Sequence, residues 1–182
     1  MIRLFVAIDL PADLKHRIEP LCSGVEGASW VGEDNMHLTL RFIGEVGEEN
    51  LDDIVGALAR VNGTRFSLEV TGAGHFESRR RVRALWLGLE KQPALFALRE
   101  RIESALVHAG LPPEGRKFSA HLTLARLKGT RPARVHDWLA ANSLFRAAPF
   151  EVEDFVLFSS LLGRGGAIYQ PVQTFLLGRG PA

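Results

Sequence analysis

Two imidazoles and two hydroxyls recur at one spacing. His37-Leu38-Thr39-Leu40 is repeated as His121-Leu122-Thr123-Leu124. With average residue usage, a repeat of this kind anchored on histidine should arise by chance in about one chain in a hundred. Each copy sits in an alternating apolar run, Met36 to Ile43 and Phe118 to Leu127, a pattern that predicts a β-strand. Residues two apart on a strand share a face. His37 and Thr39 therefore project one way and Leu38 and Leu40 the other, and the second copy repeats this. The leucines suit a core. The imidazoles and hydroxyls, if they line one cleft, suit proton transfer at a phosphorus centre. One imidazole takes a proton from a nucleophile and the other gives one to a leaving group. Both protonation states are accessible near the unperturbed pKa of about 6.5. The threonines can donate to non-bridging oxygens, which gather charge in the transition state. Arg41 and Arg126 stand nearby to add positive charge. Acyl transfer fits less well, since there is no G-x-S-x-G elbow. Zinc competes for histidines but needs three or four ligands. No H-E-x-x-H or carboxylate cluster accompanies these two, so neither a metal nor another cofactor is expected.

Two strands must be held face to face for this chemistry, and the chain order suggests how. A strand over 3–9 leads to a helix from Pro11 to about Cys22, then to the first motif strand. A helix over 48–61, stopped by Asn62-Gly63, and a strand over 66–70 follow. The order then recurs: a strand over 83–89, a helix from Pro93 to His108, the second motif strand, and a short helix over 133–141. Strands over 150–158 and 167–177 close the chain, joined by a turn at Gly163, Gly165 and Gly166. Arg83-Ala84-Leu85-Trp86-Leu87-Gly88-Leu89 resembles Arg3-Leu4-Phe5-Val6-Ala7-Ile8-Asp9, and Phe76-Glu77-Ser78 matches Phe158-Ser159-Ser160. An internal duplication, roughly 1–80 and 81–182, is the economical account. The expected architecture is one bilobal α+β domain over 1–182. It has two pseudo-twofold-related antiparallel β-sheets, helices on the outer faces and a central groove. Hairpins at 66–76 and 150–177 argue against a parallel sheet. Trp30, Trp86 and Trp138 read as core.

With 182 residues, 46% of them hydrophobic, the chain can bury a core, which excludes wholesale disorder. A net charge of +1 excludes a bulk polyanion binder. Positive charge is local, however. Arg79, Arg80, Arg81 and Arg83 form one run, and Arg116, Lys117, Arg126, Lys128, Arg131 and Arg134 bracket the second motif. That distribution suits a phosphate-bearing ligand; for the run, a charged and solvated edge strand is the competing reading. Cys22 is the lone cysteine, so no disulfide forms within the chain. The apolar start is too short for a signal peptide, and no stretch approaches a membrane span. A soluble, cytoplasmic monomer is expected.

The flanks of the repeated tetrad narrow the reading. Asn35-Met36-His37-Leu38-Thr39-Leu40-Arg41-Phe42-Ile43-Gly44-Glu45-Val46 and Phe118-Ser119-Ala120-His121-Leu122-Thr123-Leu124-Ala125-Arg126 closely resemble the RNA 2′,3′-cyclic phosphodiesterases, or 2′-5′ RNA ligases, of the 2H phosphoesterase superfamily. The resemblance runs from Arg3 to Tyr169. Ala120 stands where the family usually has proline, a change that removes no chemical group. The resemblance implies metal-independent hydrolysis of a terminal 2′,3′-cyclic phosphate on RNA or a small nucleotide to a 2′-phosphate, with weak reverse 2′-5′ ligation. It implies catalytic roles for His37, Thr39, His121 and Thr123; His121 is taken as the base and His37 as the acid, a division that the sequence itself does not distinguish. It also implies a phosphate contact for Arg126. Phe42 or Tyr169 is a candidate to stack on a base. A non-catalytic RNA-end binding module is the alternative, as is a phosphodiesterase for another cyclic phosphate or an oligoadenylate.

Overall fold

The computed structural model describes residues 1–164 and 166–179; the expected turn residue Gly165 lies outside them. In chain order the strands are β1 (Ile2–Asp9), β2 (Ala28–Trp30), β3 (His37–Val46), β4 (Phe66–Leu68), β5 (Val70–Ser78), β6 (Arg81–Leu89), β7 (His121–Leu127), β8 (Phe150–Val152), β9 (Asp154–Gly163) and β10 (Gly166–Leu176). The helices are α1 (Ala12–Ile18), α2 (Leu51–Ala59), α3 (Pro93–His108) and α4 (Pro132–Asn142). The fold is α+β, as the alternation of apolar runs predicts. No helix of the described residues is long and apolar enough to cross a membrane.

Two four-stranded antiparallel sheets carry the motifs. One has the order β10-β9-β1-β3 and the other β2-β7-β6-β5. The motif strands β3 and β7 approach within 8 Å, Cα to Cα, at the seam between the sheets. Outward from that seam the sequences of strands correspond: β3, β1, β9 on one side and β7, β6, β5 on the other. Each sheet therefore draws strands from both sides of residue 80. β5 pairs in the sheet of the second motif, and β9 and β10 in that of the first.

The leucines of both motifs lie in one shared core. Leu38, Leu40, Leu122 and Leu124 are all buried in the same cluster as Leu95, Leu98, Ile102 and Leu106 of α3. The spacing of these last four places them on one side of the helix. Pro93 starts α3, the Gln92 side chain caps it by accepting from Ala94 N–H, and Gly110 at φ 95° comes just after its end. Helix α2 packs on α3 and β10, α3 on β3, and α4 on β5.

Three expectations change. The strand expected over 150–158 divides at Glu153, with β8 paired to β4 and β9 to β1 and β10. The helix after β1 is shorter than expected: it ends at Ile18 and passes into a 3₁₀ turn over Glu19–Leu21, where Pro20 has no N–H to continue it. The expected hairpin over 66–76 does not form. β4 pairs with β8, and β5 with β6. A single residue, Glu69, separates β4 from β5, and a hairpin reversal ordinarily needs at least two.

Candidate active site

The motif histidines are held in the same way on their two strands. His37 Nδ1 lies 2.7 Å from Asn35 O, and His121 Nδ1 lies 2.7 Å from Ser119 O. A carbonyl oxygen only accepts, so each Nδ1–H donates to it. In the neutral ring Nε2 is then left as an acceptor. His37 Nε2 accepts from the Thr39 hydroxyl at 2.9 Å, whereas His121 Nε2 has no partner among the described residues. Each bond ties an imidazole to the backbone two residues earlier, so strand entry fixes ring orientation.

Beyond the threonines both strands break alternation at the same place. β1 pairs Ala7 with Thr39 but Val6 with Arg41, leaving Leu40 as an extra residue. β6 pairs Trp86 with Thr123 but Leu85 with Ala125, leaving Leu124 extra. These are β-bulges, and each flips the parity of the residues after it. Arg41 and Ala125 therefore join the leucines on the core side. Phe42 and Arg126 emerge on the side of the histidines. Strict alternation predicts the opposite for both arginines.

Arg41 is accordingly corrected from a ligand contact to a structural residue. It is 6% exposed, and its guanidinium donates to Glu103 on α3 and to the carbonyls of Phe42 and Pro112. Glu103 also accepts from Glu114 N–H at 2.7 Å. Three partners leave this cation no free edge for a phosphate. Arg126, by contrast, is exposed, and its charge reaches across the seam to disfavour protonation of His37.

Aromatic rings surround both imidazoles. Phe5, Tyr169 and Phe158 lie 4.9, 5.3 and 6.3 Å from the His37 ring, centroid to centroid. Phe76 meets His121 edge-on at 4.7 Å, and Trp86 stands 6.2 Å from it. Phe42 is 53% exposed and 6.1 Å from Phe5. Tyr169 thus lies beside His37, and Phe42 on the exposed rim of the same aromatic group. Sequence reasoning misses Phe5, Phe76, Phe158 and Trp86 here, although the match of Phe76 to Phe158 carries the signal for two of them. Trp86 reads as core in the sequence, and aligning Arg83 with Arg3 puts it opposite Val6. The registers pair Trp86 with Thr123 and Ala7 with Thr39, so the true correspondence is shifted by one. A shift of one exchanges the faces of a strand. Gly74 makes room for the indole: a Cβ there would sit 2.3 Å from the Trp86 ring. The Trp86 indole N–H is buried and without a partner among the described residues.

Burial pushes both imidazoles below their ordinary pKa. His37 falls to about 4, chiefly by desolvation; its bond to Asn35 O and the Asp9 carboxylate oppose this, and Lys15 and Arg126 add to it. His121 is lowered by desolvation, against its bond to Ser119 O. Asp9 is the cross-strand partner of His37 and is itself paired with Lys15 at 2.8 Å. Among the described residues, His16, Glu19 and Glu33 have the spacing to hold a metal ion, and neither motif histidine belongs to that set.

The arrangement is two backbone-anchored imidazoles, two hydroxyls and one free guanidinium on a seam between matching sheets. It can move two protons about a bound phosphate. The family model described as LigT-like phosphoesterase matches twice, over residues 8–86 and 87–169. An RNA 2′,3′-cyclic phosphodiesterase of Archaeoglobus fulgidus is 34% identical over 95% of this chain and 99% of its own. One of Thermotoga maritima is 37% identical over 92% of this chain and 91% of its own. The crystal structure of Escherichia coli LigT complexed with 3′-AMP superposes with a TM-score of 0.77, at 28% identity, over 97% of this chain and 98% of that one. Matches of this extent to both halves and to the whole fold show that the chain belongs to the LigT-like phosphoesterases.

Proposed function

We propose that this protein hydrolyses 2′,3′-cyclic phosphates at RNA ends or on small nucleotides, leaving a 2′-phosphate. The observation that carries this is the matched pair of imidazoles, each with Nδ1 donating to a backbone carbonyl and Nε2 left to exchange a proton. The curated relatives carry the same activity in their names, and the E. coli structure is described as a complex with a nucleotide.

In this reading a water oxygen attacks phosphorus as His121 takes its proton. The P–O3′ bond breaks as His37 gives a proton to O3′. When the nucleophile is instead the 5′-hydroxyl of a second RNA, the same steps join the two through a 2′-5′ bond. Thr39 and Thr123 donate to the equatorial oxygens, and Arg126 offsets their charge. Thr39 must then turn from His37 Nε2 toward the phosphate, which frees that nitrogen for the leaving oxygen. Because burial holds His37 near 4, its acid role requires the substrate anion to raise its proton affinity. Phe42 and Tyr169 offer rings to a base. The reading takes the enzyme as a cytoplasmic monomer, consistent with a chain that has one cysteine and no disulfide.

The test is turnover of a nucleoside 2′,3′-cyclic phosphate by the purified protein, with the product resolved as 2′- or 3′-phosphate. Conversion to the 2′-phosphate is expected. Tight binding without conversion would make the protein an RNA-end binding module. Conversion of a different cyclic phosphate or an oligoadenylate alone would move the substrate class.

A further inference from the structure

The hairpin joining β5 to β6 carries the arginine run, and its geometry is unusual for its composition. Ser78 pairs with Arg81, so Arg79 and Arg80 are the two turn residues. Both have positive φ, 52° and 59°. This is the type I′ pattern, in which asparagine and glycine are strongly preferred because the left-handed region penalises other side chains. Two arginines are a poor choice for folding the turn. Arg79, Arg80, Arg81 and Arg83 are all exposed, and none forms an ion pair with a described residue. By contrast, Arg41, Arg65, Arg99 and Arg146 each have a carboxylate partner.

The hairpin is continuous with the site. Phe76, which touches His121, is three residues before Arg79, roughly 10 Å of extended chain. On β6, Ala84 pairs with Arg126 on one side and with Phe76 on the other, so Arg83 stands one residue along β6 from the partner of Arg126, toward the tip of the hairpin. Exposed arginines thus stand on this one sheet at Arg126 on β7, at Arg83 and Arg81 on β6, and at the tip. The corresponding strand of the other sheet, β9, leads past Phe158 into a hairpin that carries exposed Leu161 and Leu162 and one arginine, Arg164. The basic track is one-sided.

We infer that the β5–β6 hairpin is a docking rail for the RNA strand behind the reacting nucleotide. Its arginines contact the phosphates 5′ to the terminal cyclic phosphate. This rests on the phosphodiesterase reading and deepens it: the preferred substrate is a polynucleotide end, held by its backbone without regard to sequence. A one-sided track also fixes the direction in which the strand leaves the site.

The experiment uses the full chain and the variant Arg79→Asn with Arg80→Gly. That change removes two charges while giving the turn its favoured residues, so a purely structural turn would be improved by it. One measurement is kcat/KM for a ten-nucleotide RNA ending in a 2′,3′-cyclic phosphate, relative to that for a mononucleotide cyclic phosphate. The other is the salt dependence of binding of a labelled single-stranded RNA, read by fluorescence anisotropy. The wild-type ratio should exceed about 10, on the scale of the salt-dependent gain from a few neutralised phosphates, and the variant should lower it several-fold. The slope of log K against log salt should shrink by about 0.7 for each phosphate that the variant no longer neutralises. An unchanged ratio and slope in a folded variant would overturn the rail. So would a variant that binds RNA as the wild type does but no longer binds anionic vesicles. If the wild type turns over neither substrate, the hydrolase reading falls, and the anisotropy slope still decides the rail.

Discussion

Burial of the two imidazoles decides what pH the reaction needs. In the free enzyme His37 loses its proton near 4, and His121 below the ordinary value. If one must be protonated and the other neutral, kcat/KM should be bell-shaped with both limbs under about 6.5, since this parameter reports the free enzyme. The profile for kcat should sit higher, because the bound phosphate favours imidazolium. A pH–rate series on a cyclic nucleotide checks this. A profile that never falls on the alkaline side would remove the general acid from the pair. The same series run in excess chelator should be unchanged, because one histidine and a hydroxyl on each strand are a poor metal set. His37→Ala and His121→Ala should each lower turnover at least about 10²-fold with the circular dichroism spectrum retained. Thr39→Val and Thr123→Val should cost about 10- to 10³-fold. Burial of His37 also makes stability depend on pH. Its folded pKa lies below its unfolded value, so the stability it confers is complete above about 6.5 and declines as pH falls toward about 4. A shift of this size corresponds to about 3 kcal/mol. Urea denaturation at several pH values should therefore show a flatter decline in His37→Gln than in the wild type.

At the level of elements, the paired bulges do the sorting. One extra residue after each threonine sends Arg126 to the histidine side and Arg41 into a buried ion pair. The Arg41 clamp ties the strand that carries His37 to α3 and to the loop at Pro112 and Glu114 that leads toward His121. Its carboxylate partner, Glu103, is held below the usual range: its bonds to Glu114 N–H and Arg41 together outweigh desolvation. Arg41→Met should destabilise the fold by roughly 3 kcal/mol, because it leaves Glu103 and two carbonyls short of a partner. Adding Glu103→Leu should recover part of that loss. Chemical denaturation of the single and double variants measures both. Equal losses in the two would show that the packing of Arg41, and not its charge, is what matters.

Across the whole molecule, the two sheets exchange strands. β5 crosses to the sheet of the second motif, and β9 and β10 cross to that of the first. A cut near residue 80 therefore leaves each piece with an incomplete sheet and unpaired edges, however alike the halves are in sequence. Fragments 1–80 and 81–182, expressed separately, should lack a cooperative unfolding transition. Mixed or co-expressed, they should recover one, along with turnover. Independent folding of either fragment would show that the exchange is not needed for stability.

The sequence by itself determined the chemistry and the local geometry of the motifs. Strand alternation has period two, so the face shared by His37 and Thr39, and by His121 and Thr123, is set by neighbours along the chain. The core leucines and α3 were legible for the same reason. The rest depended on partners far away in the chain. Whether Arg41 or Arg126 joins the histidines is set by bulges, and a bulge exists only relative to the strand it pairs with. Whether Trp86 lies in the core or beside His121 turns on a register shifted by one, which repeated composition along β1 and β6 does not reveal. The pairings of β4 with β8 and of β9 with β1 are long-range, and backbone hydrogen bonds, common to every residue type, do the joining. Side-chain pattern records which face of a strand is wet. Only the tertiary structure decided which strand lies beside it, and hence which cation and which rings each imidazole meets.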